Sequence, residues 1–328
     1  MAVVLRGIGR SLPWRVVPND EAAIRSGTDD EWIRSHTGIV SRYFAGEGET
    51  TASLGAGACR EALERPLLGP PFKAVSAEEV NLVICATATP EYSNFPATAC
   101  IIQAQIGAKN AAAFDVASAC TGFINGLAIA DSLLRRNRWR YALVCGAETL
   151  SRILDMTDRN TCVLFGDGAG AMLLENLAVG EAPQPAKDQR RGIGEIIMGA
   201  DGTGSRDLYC ERGGCMIMDG RAVYTFAIRV IPDIIRKLMQ RENLGMENVD
   251  LFVCHQANER ILLSVEKRLG IPKGKMVYNI ARCGNTSSAS IPLAFYALSE
   301  KGSLRAGQTI VTAGFGAGLT WGGCVIRF

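Results

Sequence analysis

The 328 residues carry 35 Lys and Arg against 33 Asp and Glu, a net charge of +2, which argues against a nucleic-acid binder and against a membrane-surface protein. No stretch reaches the ~20 consecutive apolar residues that a bilayer span needs. With 48% hydrophobic residues and 36 Gly, the chain has material for a large core with many tight turns, in two fused halves or one large α/β domain.

In chain order, Val3 to Ile8 reads as a first strand, Pro18-Asn19-Asp20-Glu21 as a helix start, and Asp29 to Ile33 as a second short helix that leaves through His36-Thr37-Gly38-Ile39. Thr51 to Leu63 is Ala-rich and helical, and the prolines between Arg65 and Ser76 mark a loop. Val80 to Cys85 is a buried strand, Ala97 to Ile106 a helix, and Ala111 to Val116 a short strand. Small residues from Ala117 to Ala119 then turn into a helix with Phe123, Ile124, Leu127, Ile129, Ala130, Leu133 and Leu134 near helical spacing. Strands follow at Tyr141 to Cys145 and, after Phe165 to Gly170, at Ala171 to Leu174. The charged, Pro-containing run 180–192 is the candidate boundary between a half spanning 1–180 and a half spanning 190–328. Beyond it, Val223 to Leu238 is helical, Val249 to Cys254 a buried strand, and Glu259 to Leu269 a helix. Ser288 to Leu298 is a helix that tolerates Pro292 in its first turn. Ile310 to Ala313 and Val325 to Phe328 are strands.

Three echoes in the same order point to a duplicated α/β unit. Glu79 to Cys85 matches Asn248 to Cys254, the Cys120 turn and its helix match the Asn285 turn and its helix, and Gly168 to Leu174 matches Gly322 to Phe328. The 11 cysteines are odd in number and mostly inside apolar runs (Cys85, Cys145, Cys254, Cys324), which suits a reducing cytoplasm rather than a disulfide framework. Arg6 and Gly7 interrupt the first apolar run, so no signal peptide is expected.

Cys120 falls at a strand-to-helix junction, where free N–H groups and the helix dipole favour thiolate over thiol. The chain has two histidines, His36 and His255, and His255 ends an apolar strand, where open α/β sheets place chemistry. Asn285, in Gly284-Asn285-Thr286-Ser287, sits in a capping turn that also aims a side chain. One Cys, one His and one Asn make a thiolate site in which His255 moves or donates a proton and Asn285 donates to a developing oxyanion. A Cys-His-Asn thiol hydrolase, where the Asn orients the His, uses the same residues, and spacing does not choose between them. The Gly-rich runs lack dinucleotide spacing, and Cys210 and Cys215 lack a second Cys/His pair for zinc, so no metal is expected.

Five motifs, Asp115 to Phe123, Phe165 to Ala171, His255-Gln256-Ala257-Asn258, Gly284 to Ser287 and Gly314 to Gly322, resemble 3-oxoacyl-[acyl-carrier-protein] synthase III, the initiating condensing enzyme of type II fatty-acid synthesis. The resemblance runs from the first strand to Phe328. It implies a thiolase-like α/β fold, two βαβαβαββ halves in a five-layer α-β-α-β-α sandwich, assembled as a homodimer. It implies no metal or cofactor, with acyl-CoA, most simply acetyl-CoA, and malonyl-acyl carrier protein as substrates. Cys120 would take the acyl group, and His255 and Asn285 would stabilise the enolate formed as CO2 leaves. The N–H groups of Cys120 and Ala317 would form a second oxyanion hole. A relative condensing a branched, dicarboxylic or aromatic primer is the alternative within the fold.

The resemblance also assigns binding residues. Trp32 and Arg159 match the pair that sandwiches the CoA adenine, and Asn258 a position by the pantetheine arm. Where this chain has His36 the family usually has Arg; a neutral imidazole does not replace a fixed positive fork, so weaker or pH-dependent CoA binding, or replacement by neighbouring Arg34, is expected. Arg260, Lys267 and Arg268 match the basic patch that receives the carrier protein. Thr89, Phe95 and Phe315 match the primer pocket, with Phe95 crossing the dimer interface.

Overall fold

Short apolar runs bounded by turns become two sheets, with helices between and outside them. The computed structural model describes residues 2–68, 73–179 and 191–328. Residues 180–190 of the expected boundary at 180–192, and residues 69–72 of the proline loop, lie outside the described residues. The first part of the chain forms β1 (Val3–Ser11), β2 (Arg15–Pro18), α1 (Asn19–Ser26), α2 (Asp30–Thr37), β3 (Ser41–Phe44), α3 (Thr51–Glu64), β4 (Val80–Ala86), α4 (Thr98–Ile106), β5 (Ala112–Val116), α5 (Gly122–Asn137), β6 (Tyr141–Glu148) and β7 (Gly168–Asn176). The second forms β8 (Gly192–Ala200), β9 (Leu208–Cys210), β10 (Met216–Met218), α6 (Gly220–Arg241), β11 (Leu251–Cys254), α7 (Glu259–Leu269), α8 (Ile280–Cys283), α9 (Ser290–Glu300), β12 (Thr309–Gly316) and β13 (Thr320–Arg327).

The first sheet has the order β1-β7-β6-β4-β5 and the second β8-β13-β12-β11. The directions match strand for strand: β7 is antiparallel to β1 and β6, as β13 is to β8 and β12, and β4 is parallel to β6, as β11 is to β12. The counterpart of β5 shrinks to a parallel bridge, Phe252 with Met276. α3 and α4 cover the outer face of the first sheet, α5 and α9 lie between the sheets, and α6 covers the outer face of the second with α7 packed on it. This is the five-layer thiolase-like sandwich. The middle layer is apolar on both sides: Phe123, Ile124 and Leu127 of α5 share one buried cluster with Ile84 and Val144 of the first sheet and Val253 and Cys324 of the second.

The two turns that lead into the middle-layer helices show why the halves look alike, although the first follows strand β5 and the second the short helix α8. Each is a short 3-10 turn, Ala119–Thr121 and Ser287–Ala289, running into a helix of the middle layer. Ala119 (φ 42) and Ser287 (φ 47) both take the left-handed conformation that non-glycine residues rarely adopt. Aligned on that position, the counterpart of Cys120 is Ser288, and Asn285 sits three residues earlier in the same turn.

Pro232 lies inside α6 and removes the N–H that would bond the Ile228 carbonyl. Arg268 of α7 supplies the missing donor, its Nη1 lying 2.9 Å from Ile228 O. Arg268 thus staples α7 to α6, and Arg268→Ala is expected to destabilise the fold by about 1–3 kcal/mol, while exposed Lys267→Ala changes it by no more than about 0.5 kcal/mol. Urea unfolding of the two variants checks the difference.

Candidate active site

Cys120 enters the centre of the molecule on the turn between β5 and α5 and is 6% exposed. The turn at the tip of β12 lies against it. A Cβ added at Gly316 would stand 3.0 Å from the Cys120 nitrogen, so only glycine lets the two turns come this close. Burial pushes the Cys120 thiol up to about 12; the Ser287 hydroxyl beside the sulfur pulls the other way, and the buried Glu148 carboxyl adds to the rise. This corrects the expectation of a resting thiolate: loss of hydration outweighs the helix terminus.

His255 follows β11, continues its pairing through its N–H to Ala313 O at 2.8 Å, and is 1% exposed. Its ring packs edge-on against Phe315, with 5.6 Å between centroids. Nδ1 lies 2.6 Å from Ser290 Oγ, at the start of α9. The Gln256 N–H donates to the same oxygen at 3.4 Å, and Nδ1 is the acceptor the described residues offer the Ser290 proton. Ser290 therefore donates to Nδ1, and His255 carries its own proton on Nε2. Burial lowers the His255 pKa to about 3, so the ring is neutral at physiological pH.

That depression sets a stability trend. In the unfolded chain His255 titrates near the ordinary histidine value of about 6.5. Between pH 6.5 and 3 the unfolded state binds the extra proton, so stability falls as pH drops through this window. His255→Gln is expected to lose that share of the acid sensitivity, seen as a shallower fall of unfolding free energy below neutrality.

Asn285 is held on both sides of its backbone, its N–H to Leu164 O at 2.9 Å and its carbonyl from Gly166 N at 3.0 Å. Its Oδ1 accepts from Ser287 N at 2.9 Å, which leaves the NH2 end as the free donor. Asn285 and His255 are thus each tethered by a different partner, and neither orients the other. That removes the arrangement a Cys-His-Asn hydrolase uses.

Cys120, His255 and Asn285 line one cavity of about 400 Å³, together with Phe315 and Gly316. The same cavity is lined at its exposed end by Trp32, His36, Arg159, Arg221, Asn258 and Arg260. A basic mouth therefore leads to a buried thiol. The geometry at the mouth is built by caps. Asp29 accepts from Trp32 N at 2.6 Å and starts α2; Asn258 caps α7 through Arg260 N at 2.8 Å and donates Nδ2 to His36 O at 3.1 Å. Arg159 stands on a loop pinned by Asp158, and its guanidinium lies 5.6 Å from the Trp32 ring centroid.

These features agree with what similar proteins are. Residues 114–202 match the family described as 3-Oxoacyl-[acyl-carrier-protein (ACP)] synthase III, and residues 239–328 its C-terminal counterpart. The Beta-ketoacyl-[acyl-carrier-protein] synthase III of Rhizobium meliloti (strain 1021) is 44% identical over 332 residues, covering 99% of each chain. This chain belongs to the 3-oxoacyl-[acyl-carrier-protein] synthase III family. The protein of the same name from Oceanobacillus iheyensis is 42% identical over 328 residues, covering 100% of this chain and 99% of that one. The crystal structure of 3-oxoacyl-[acyl-carrier-protein] synthase III from Aquifex aeolicus VF5 superposes with a TM-score of 0.91 at 38% identity, covering 99% of this chain and all of that one.

Against this synthase III frame, some sequence expectations stand apart from the cavity. Thr89 faces a second cavity, of about 770 Å³, behind the Cys120 turn with Ala117 and Ala119, and it donates to Glu148 at 2.9 Å. Phe95 is 84% exposed, so it is not a core residue of this chain. Arg34, the neighbour offered as a replacement for an arginine at position 36, pairs with Asp30 and is not among the residues that line the cavity. Lys267 is exposed, whereas Arg268 is engaged by Ile228. Ser290, Ser287 and Glu148 were not visible in sequence, because nothing local distinguishes a serine that meets a histidine from one that caps a helix. Among the described residues no group of three or more His, Cys, Asp or Glu is placed to hold a metal, and no helix is long and apolar enough to cross a membrane.

Proposed function

We propose that this synthase III loads a short acyl group, most simply acetyl, from acyl-CoA onto Cys120 and condenses it with malonyl-acyl carrier protein, initiating fatty-acid synthesis. The observation that carries the reading is the single cavity joining a basic, aromatic mouth to a buried thiol faced by two tethered neutral donors. In the first half-reaction the Cys120 sulfur attacks the thioester carbonyl, the C–S bond to CoA breaks, and the thiol proton ends on the CoA sulfur. The N–H groups of Cys120 and Ala317 stabilise the tetrahedral oxyanion; the close approach of Gly316 to Cys120 supports that pairing.

In the second, malonyl-acyl carrier protein enters by the same cavity. His255 Nε2–H and Asn285 Nδ2–H donate to its thioester carbonyl as CO2 departs and an enolate forms. The enolate carbon attacks the acyl-Cys120 carbonyl, a C–C bond forms, the C–S bond breaks, and the departing Cys120 thiolate takes one proton from solvent water. Neutral donors suit this step: they stabilise negative charge without quenching the carbanion by proton transfer. The side chains and substrates supply every group these steps need, without a resident cofactor.

Trp32 stacks on the adenine with Arg159, Asn258 lies by the pantetheine arm, and Arg260 with Lys267 receives the acidic carrier protein; Arg268 joins them only with the surface its staple leaves free. The protein is a homodimer in this reading. Exposed Phe95 and the edge position of β5 support it, and Phe95 with Thr89 then shapes the primer pocket at the interface. A single-chain mass by light scattering would overturn the dimer. Eleven free cysteines suit the reducing cytoplasm. Intact-protein mass spectrometry after exposure to mixed acyl-CoAs tests the assignment. One acetyl group on the peptide holding Cys120 is expected; a branched, dicarboxylic or aromatic adduct would move the enzyme to a specialised primer, and no adduct would end the reading.

A further inference from the structure

His36 lines the mouth of the cavity, where the resemblance leads to the expectation of an arginine, and its geometry gives it a task of its own. The imidazole stacks on Trp32, with 4.3 Å between centroids and 16° between planes. One face of the indole is therefore covered by the chain itself, and the Arg159 guanidinium stands 5.6 Å from the same ring centroid, so an adenine seated against Trp32 has to displace one of the two. Nδ1 lies 2.8 Å from Trp32 O and 3.1 Å from Ser35 Oγ. A carbonyl can only accept, so Nδ1 carries the proton. Ser35 Oγ donates its own proton to Trp32 O at 3.1 Å, which leaves it free to accept from Nδ1 as well. With one ring proton fixed on Nδ1, a ring that carries no second proton presents Nε2 as a bare acceptor, and among the described residues no hydrogen bond reaches that atom. The peptide at His36 is held by Asn258, so the ring cannot drift from the mouth.

An arginine carries donors only and pairs with phosphate; an imidazole acceptor repels phosphate oxygens and takes an O–H or N–H. The nucleoside end of an acyl-CoA has both, in its adenine amine and its ribose hydroxyl. We infer that His36 reads a hydrogen-bond donor of the nucleoside, not its phosphates, and so sets nucleotide specificity at the mouth of this site. The phosphates are left to Arg159, Arg221 and Arg260, which line the same mouth. This rests on the acyl-CoA reading above.

The test compares KM for acetyl-CoA, acetyl-dephospho-CoA and an acetyl-CoA whose adenine amine is sealed in an etheno ring, at mildly alkaline pH. His36→Ala is expected to raise KM for the first two by the same factor, about 3- to 10-fold, as for one lost hydrogen bond. His36→Gln, which keeps an acceptor, is expected to stay within about twofold of wild type and covers the case that His36→Ala folds poorly. His36→Arg is expected to widen the preference for the phosphorylated substrate by about tenfold. If the etheno substrate removes the gap between wild type and His36→Ala, the donor is the amine; if the gap persists, it is the hydroxyl. A His36→Ala variant that narrows the preference for CoA over dephospho-CoA by threefold or more, or that leaves every KM unchanged, overturns the inference. Acylation of wild-type Cys120 is read in parallel by mass. Its absence would sink the acyl-CoA reading, whereas its presence with a shifted ratio would sink only the role of His36.

Discussion

Cys120→Ala is expected to abolish transfer of radiolabel from acyl-CoA to protein and to lower condensation to background, a loss on the order of 10,000-fold or more. The size follows from the chemistry. Without the sulfur there is no acyl-enzyme, and the condensation has no electrophile for the enolate to attack. The cavity should be otherwise preserved, because an alanine at a 6% exposed position removes only a small group and leaves both oxyanion sites in place. Malonyl-acyl carrier protein should therefore still bind and lose CO2 in the Cys120→Ala protein, since His255 and Asn285 are held by Ser290 and Ser287 rather than by the thiol. Loss of label together with retained CO2 release is the expected pair of results. Unchanged labelling would remove Cys120 as the nucleophile, whatever else the variant does.

His255→Ala and Asn285→Ala separate the two half-reactions. Each is expected to slow CO2 release from malonyl-acyl carrier protein by about 100- to 1,000-fold, the usual cost of deleting one donor to a developing oxyanion. Acylation of Cys120 should suffer far less in both, because its oxyanion is stabilised by backbone N–H groups that neither substitution removes. The double variant should lose less than the product of the single losses, since both donors meet one oxygen. Equal loss in acylation and decarboxylation would mean that His255 acts as the base for the Cys120 thiol instead. Burial argues against that: a thiol pushed up to about 12 and an imidazole lowered to about 3 make a poor proton-transfer pair. Rates of single-turnover acylation and of CO2 release, measured on the same preparations, decide it.

Much of this molecule was legible before it was folded. The apolar runs from Val80, Tyr141, Val249 and Ile310 are strands because buried strands need continuous apolar residues and nothing else. The three sequence echoes are real repeats of strand order, since both sheets run the same topology. Cys120 and His255 were legible as candidates because each follows a strand at a turn, where a sheet exposes chemistry, whereas Asn285 follows the short helix α8 and stood out only through its capping-turn pattern. Less was legible where pairing, not local pattern, makes the element. β8, with Gly194 and Gly199 in it, has no strand-like run of its own and exists because β13 offers it an edge. The same holds for the short β2–β3 and β9–β10 pairs.

Sequence by itself determined the family and the duplicated architecture and named the candidate reacting side chains, because each is written in contiguous motifs whose physics is local. Only the tertiary structure decided their states. Whether Cys120 rests as thiol or thiolate depends on water excluded by a turn almost 200 residues away, at Gly316. Which nitrogen of His255 bears the proton depends on Ser290, and which end of Asn285 is free depends on Ser287. Solvation and hydrogen bonding are properties of neighbours in space, and the chain order does not name those neighbours.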